Sequence, residues 1–205
     1  MGRLETGASG AFCTGVLVSP DLVLTAAHCV AKYEGALSLQ EAEFSFRPGT
    51  LRASPAFSAD HVVLHPLYRR SLNYLQQLRF DVALVKLAEP VPDTVTLPLP
   101  YGVEAELGEN LFIASWRAVA GGTPEQKSCD VISGMPGLVT LDCAVWGGES
   151  GSPVLRKSET GLEVVAVVSS RTDLADEPAA QASNIVIRLP ALMQELARQM
   201  KVGGS

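Results

Sequence analysis

Gly147-Gly148-Glu149-Ser150-Gly151-Ser152-Pro153 sets one serine between glycines, which leaves its hydroxyl open and the amides beside it free to turn. A serine hydroxyl is a weak nucleophile until a base removes its proton, and that base must itself be held in one tautomer. All three histidines, His28, His61 and His65, precede Ser150, so the order serine, acid, histidine is impossible. Residue 152 is also Ser rather than the second glycine of an α/β-hydrolase elbow. The order that remains is His, Asp, Ser. Alone, the stretch is more often a plain turn, and the rest of the chain has to decide.

The 205 residues, 47% hydrophobic and 19% charged, suffice to bury a core as one unit or as two lobes of about 100 residues each. No uninterrupted apolar run reaches the ~18 residues of a transmembrane helix, and the opening residues lack the basic-then-apolar layout of a signal peptide, so no membrane partner is expected. A net charge of −6 argues against nucleic acid, whose phosphates call for a basic face. The cysteines are Cys13, Cys29, Cys129 and Cys143, with no Cys-x-x-Cys pair and with histidines scattered elsewhere, so no metal site is expected. Three pairings are open. The local one, Cys13 with Cys29 and Cys129 with Cys143, closes two short loops, each stabilising by roughly 3 kcal/mol in the chain-entropy description. Such bonds persist in oxidising compartments, which suggests a secreted or periplasmic protein.

Residues 12–18 and 22–25 are rich in β-formers, and Ser19-Pro20-Asp21 between them is hairpin-turn chemistry. Small residues follow in Leu24-Thr25-Ala26-Ala27-His28-Cys29, which leaves His28 at the end of a strand. The whole run, from Cys13-Thr14-Gly15-Val16 to Ala27-His28-Cys29, resembles the trypsin-like (chymotrypsin-fold) serine peptidases around their catalytic histidine. In that family the two cysteines form a disulfide beside the histidine. Val62-Val63-Leu64-His65-Pro66-Leu67-Tyr68 resembles a family strand and its following loop, where the His-Pro pair is structural, so His65 is expected to take no part in catalysis. Phe80-Asp81-Val82-Ala83-Leu84-Val85-Lys86-Leu87 resembles the segment carrying the catalytic aspartate, although an Asp before an apolar strand by itself reads as a cap or turn.

Prolines 90, 92, 98 and 100 make residues 90–108 the candidate linker between two halves. Beyond it, strands are expected at 110–119, 138–143, 153–155, 162–169 and 185–189. From Pro190 the period changes: Leu189, Leu192, Met193, Leu196 and Met200 recur at helical spacing, as the apolar stripe of a terminal helix. Many short strands and one late helix suit an all-β fold of two antiparallel barrels. The resemblance implies six strands in each, in the chymotrypsin-like arrangement with a short C-terminal α-helix. The expected units are 1–100, a barrel carrying His28 and Asp81, 101–189, a barrel carrying Ser150, and 190–205, the helix and tail.

By the same resemblance Ser150 attacks a carbonyl, His28 takes its proton, Asp81 holds the imidazole, and the N–H groups of Gly148 and Ser150 form the oxyanion hole. Ser169 is expected against the aspartate and the substrate backbone. Counting back from Ser150 places the base of the specificity pocket near Ala144, with Val145 beside it and Ser170 and Arg171 on the wall. No Asp or Glu stands at that base, so cleavage after Lys or Arg is not expected. Arg171 turned inward favours an acidic side chain; turned outward, it leaves an apolar pocket lined by Ala144 and Val145. Three departures from the animal enzymes stand out: Glu149 for Asp, Trp146 for a common cysteine, and Ser170-Arg171 for Trp-Gly. Met1-Gly2-Arg3-Leu4 resembles the hydrophobic-Gly start of an activated member, whose α-amine pairs with the residue before the nucleophile, here Glu149.

The sequence thus points to a secreted serine endopeptidase acting on proteins or peptides through an acyl-enzyme, with no cofactor. Two alternatives are a peptidase-like binding or regulatory protein with a blocked pocket, and a serine esterase using the same triad.

Overall fold

Strands that are apolar on both faces need a core on each side, and this requirement organises the computed structural model of the chain. The structure describes residues 1–6, 12–36, 44–49, 54–69, 73–116, 124–174, 177–184 and 189–202. The first half contains β1 (Gly2–Thr6), β2 (Phe12–Ser19), β3 (Leu22–Thr25), β4 (Gly35–Ala36), β5 (Phe44–Pro48), β6 (Phe57–Leu64) and β7 (Ala83–Leu87), with short helices α1 (Ala27–Val30) and α2 (Tyr74–Arg79). They form a sheet in the order β4-β6-β5-β1-β2-β3-β7, and an additional β6–β7 pairing brings it round on itself. The second half contains β8 (Asn110–Trp116), β9 (Pro124–Met135), β10 (Leu138–Leu141), β11 (Pro153–Ser158), β12 (Gly161–Leu174) and β13 (Glu177–Asn184). These close a barrel in the order β10-β13-β12-β11-β8-β9. The chain ends in helix α3 (Leu189–Val202). The fold is therefore mostly β, with one closed six-stranded barrel, a half-barrel and one short C-terminal helix, consistent with the chymotrypsin fold. The sheet of the half-barrel has seven strands rather than the six expected, because the short β4 adds to the edge of β6.

Alternation decides which core each residue joins. Leu17, Val23, Val62, Leu64, Ala83 and Val85 point into the first barrel, around Phe44 and Phe46. Their neighbours Val16, Leu22, Leu24, Val63 and Leu84 face the other way, into a cluster shared with Ala114, Leu155, Val164 and Val167 of the second barrel and Leu192 and Leu196 of α3. A third cluster, around Leu111, Ile113, Val139, Leu141 and Val154, fills the second barrel. A side chain moved to the wrong face by a one-residue slip leaves one core and crowds another, so the register is strongly specified.

The breaker-rich stretch crosses from one half to the other through a turn at 93–95, where Val95 N–H donates to Pro92 C=O (2.8 Å). Val91 N–H and Leu99 N–H donate to Pro20 and Leu17 in the first half (2.7 and 2.8 Å), whereas Pro100 C=O accepts from Val164 N–H in the second (2.8 Å). Both cysteine pairs are bonded locally, Cys13 to Cys29 and Cys129 to Cys143. No helix among the described residues is long and apolar enough to cross a membrane.

Several local expectations need correction. His28 lies in α1 rather than at a strand end, because β3 stops at Thr25 and the chain turns at Ala26. The stripe of α3 is narrower than expected: Leu192 and Leu196 are buried, but Met193 is 43% exposed. The expected strand at 185–189 is displaced: β13 ends at Asn184, α3 begins at Leu189, and 185–188 lie outside the described residues. β13 went unnoticed because Glu177-Pro178-Ala179-Ala180-Gln181-Ala182-Ser183-Asn184 has no β-rich or alternating apolar pattern, and pairing with β10 and β12 imposes its conformation.

Candidate active site

A carboxylate with little access to water must be saturated with donors, and Asp81 is. It lies just before β7, 3% exposed. Its Oδ1 accepts His28 N–H at 2.8 Å and its Oδ2 faces His28 Nδ1 at 2.7 Å, so the aspartate grips the histidine by backbone and ring together. Ser169 of β12 donates its hydroxyl to the same Oδ2. One carboxylate therefore binds groups from both halves of the molecule. Burial pulls the His28 imidazole down, but the hydrogen bond and the charge of Asp81 together outweigh it and leave His28 above the usual histidine value of 6.5. Burial and the Asp81 charge also push the Tyr68 phenol up to about 12, so it stays neutral beside the carboxylate.

Ser150 sits in the turn that the sequence singled out, and the turn is held from both sides. Within it, Glu149 N–H donates to Trp146 C=O (3.0 Å), Gly151 N–H to Val168 C=O (2.8 Å) and Ser152 N–H to Glu149 C=O (3.1 Å). No acceptor among the described residues takes the N–H of Gly148 or of Ser150. Those are the two amides expected to bind an oxyanion. Gly148 has φ 94°, a conformation that a side chain would strain.

The other side of the turn belongs to the first barrel. Thr14 N–H donates to Ser150 C=O at 2.8 Å, and its buried hydroxyl donates to Gly148 C=O at 3.0 Å. Gly151, at φ 79°, comes so close that a Cβ there would stand 2.2 Å from Thr14 O and from Thr25 Oγ1 and 3.1 Å from Ala26 N. The serine turn is thus set against the segment that leads into His28. Ser150 and His28 are not hydrogen bonded to each other: His28 Nε2 faces Cys29 Sγ at 3.6 Å, and Ser150 Oγ has no hydrogen-bond partner among the described residues.

Two cavities meet at this place. The smaller, about 240 Å³, is lined by His28, Asp81, Tyr68, Tyr74 and Leu78 together with Ser169 and Ser170. The larger, about 420 Å³, is lined by Val145, Trp146, Gly147, Ser150, Ser169, Ser170 and Arg171, with Val168 beneath. Ser169 and Ser170 line both, so the histidine and the serine open onto one continuous surface. Ala144 does not line the larger cavity; its carbonyl is turned to Lys127 Nζ at 2.7 Å. Arg171 and Trp146 stack on the cavity wall, guanidinium carbon 4.7 Å from the ring centre. His65 is buried and stacks on Phe80, ring centres 4.9 Å apart, beneath the aspartate rather than in either cavity.

Glu149 is not the partner of the chain's start. Gly2–Thr6 is strand β1, clamped between β2 and β5. The Glu149 carboxylate, wholly buried, receives Lys127 Nζ (2.6 Å) and the Ser115 hydroxyl (2.5 Å) on Oε1 and Trp146 N–H (2.6 Å) on Oε2. Thr14, Ser115 and Lys127 are the residues that sequence reasoning missed. Lys127 left one trace: Cys129 and Val131 alternate with the polar Ser128 and Asp130, and continuing that period back puts Lys127 on the same, inward face, as the burial along β9 bears out.

Replacing Thr14 with Val keeps the shape and removes the hydroxyl. The part-buried Gly148 C=O and the buried Trp116 N–H then lose a partner. Urea denaturation of Thr14→Val is expected to show a loss of about 1–3 kcal/mol.

Comparison with known proteins gives the family. Residues 13–167 match the model of the trypsin-like peptidase domain. Human kallikrein-4 is 33% identical over 115 residues, 54% of this chain and 41% of its own. Phenoloxidase-activating factor 3 of Holotrichia diomphalia is 30% identical over 156 residues, 66% of this chain and 43% of its own. Trypsin of Simulium vittatum is 25% identical over 169 residues, 69% of this chain and 65% of its own. The chain thus spans less than half the length of the first two of these relatives. With its matched region running from β2 into β12 and including His28, Asp81 and Ser150, the chain belongs to the trypsin-like peptidase family.

Proposed function

We propose that the chain is a secreted serine endopeptidase that cleaves proteins or peptides through His28, Asp81 and Ser150. The observation that carries this reading is the grip of the buried Asp81 on His28 Nδ1 at 2.7 Å, which leaves Nε2 as the nitrogen that can accept a proton. In the proposed reaction Ser150 Oγ attacks the scissile carbonyl carbon and its proton passes to His28 Nε2. The carbonyl oxygen becomes an oxyanion that accepts from Gly148 N–H and Ser150 N–H, the amides left unused within the turn. The intermediate collapses, the C–N bond breaks, and His28 returns the proton to the departing amine. Water then attacks the acyl-enzyme by the same route. The two disulfides speak for an oxidising compartment.

The wild-type chain is expected to hydrolyse peptides and to be phosphonylated at Ser150, and Ser150→Ala to lose both while keeping its fold. A well-folded chain that is neither active nor labelled would favour a peptidase-like binding protein. One observation supports that second reading: Arg171 and Trp146 stack together on the wall of the cavity that would receive the substrate.

The raised imidazole sets the pH dependence. Ser150 needs neutral His28, so activity falls as pH drops through a His28 value above 6.5. Asp81→Asn removes the charge that lifts the imidazole. Its acid limb in kcat/KM is expected to move to lower pH, with turnover reduced by about 10⁴ through loss of the correct tautomer.

For specificity, the larger cavity has no acidic lining residue among the described residues, and Arg171 supplies a cation at its wall. The proposed preference is an acidic or a small apolar residue before the scissile bond, not Lys or Arg. Matched peptides with Glu, Leu or Arg at that position measure it: preference for Arg would sink the assignment, and a Glu preference lost in Arg171→Ala would trace it to the guanidinium.

A further inference from the structure

A lysine on the inward face of a strand needs an anion, and a wholly buried carboxylate needs a cation or several donors. Lys127 and Glu149 meet both needs at 2.6 Å, and the pair lies directly behind the nucleophile turn. We propose that Lys127 is a positioning residue of the catalytic site: its ammonium clamps Glu149 and the Ala144 carbonyl together and thereby sets the oxyanion-binding amides. The proposal rests on the peptidase reading.

The geometry gives the clamp its reach. Glu149 stands between Gly148 and Ser150, so anchoring its side chain fixes the peptide planes on either side, which include the Ser150 amide. The Glu149 carboxylate and backbone both bond to Trp146, through Trp146 N–H to Oε2 and Glu149 N–H to Trp146 C=O, closing a small ring over 146–149. The ring is tied to the barrel at Oε1, by the Ser115 hydroxyl from β8 and by Lys127 from β9. The same ammonium donates to Ala144 C=O at 2.7 Å, where the chain enters the stretch that lines the larger cavity. Two parts of the site, the turn and the cavity wall, therefore converge on one nitrogen. The charge that neutralises Glu149 comes from within β9.

The test uses the purified full chain and three variants: Lys127→Met, Lys127→Arg, and the charge-neutral double change Lys127→Met with Glu149→Gln. The double change guards against a Lys127→Met chain that fails to fold with an unpaired buried carboxylate. Three quantities are measured: kcat and KM on one peptide, the rate of Ser150 phosphonylation, and amide hydrogen exchange over residues 144–151. Lys127→Met and the double variant are expected to lose roughly 10² in kcat, more than any rise in KM, as when an oxyanion donor is misaligned. Exchange over 144–151 is expected to rise about tenfold while β8 and β11 keep their protection, and Lys127→Arg to recover most of the turnover. Wild-type kcat in a folded variant without the lysine charge overturns the positioning role, and unchanged loop exchange overturns the clamp itself. A wild-type chain that is inactive and unlabelled overturns the peptidase reading, and the positioning role with it, while the exchange measurement still reports separately on the clamp.

Discussion

The Asp81 carboxylate is the contact on which the rest depends. A charge this buried is tolerated only where donors replace water, and here they come from His28 N–H, His28 Nδ1 and the Ser169 hydroxyl. Two of the three belong to the first half and one to the second. The need to satisfy a single anion therefore also fixes how the two barrels meet. Loss of any one donor would leave a buried charge short of a partner.

Close backbone approach does the same work a few residues away. Gly151 has no side chain and sits at positive φ, so the serine turn can lie against Thr14, Thr25 and Ala26. Thr14 uses that proximity twice, through its amide to Ser150 C=O and its hydroxyl to Gly148 C=O. With these carbonyls tied to the first barrel, the amides of Gly148 and Ser150 are left for a ligand. The apolar cluster that includes Leu24, Val63, Leu155, Val164 and Leu192 supplies the area that holds the halves together. The polar ties determine their relative placement.

In the proposed peptidase, selectivity rests on the cavity beside Ser150. Its wall carries a stacked Arg171 and Trp146, so the site presents a cation and an aromatic face where an acidic base would be required to hold Lys or Arg. Ala144, expected at the base of that pocket, instead turns its carbonyl to Lys127. Backbone counting located the right segment but not which of its groups faces the cavity, because a carbonyl's direction depends on the partner that it finds.

Sequence alone determined the family, the all-β class, the order His28, Asp81, Ser150 along the chain, and the strands whose apolar residues alternate or run together, such as β2 and β3. These are legible because they rest on local patterns: side-chain period, turn chemistry, and motifs a few residues long. Tertiary structure decided everything that depends on partners distant in the chain. β13 has no strand pattern of its own and is made a strand by β10 and β12. Met1-Gly2-Arg3-Leu4 resembles the start of an activated family member, yet Gly2–Thr6 is an inner strand of the first sheet, because β2 and β5 both pair with it. Glu149 shows a carboxylate beside a nucleophile, but its cation comes from Lys127 of β9, and only the register of β8 against β9 brings Ser115 and Lys127 to the same oxygen. Hydrogen bonds and ion pairs of this kind act over about 3 Å in space while spanning many residues of chain, so no local period announces them.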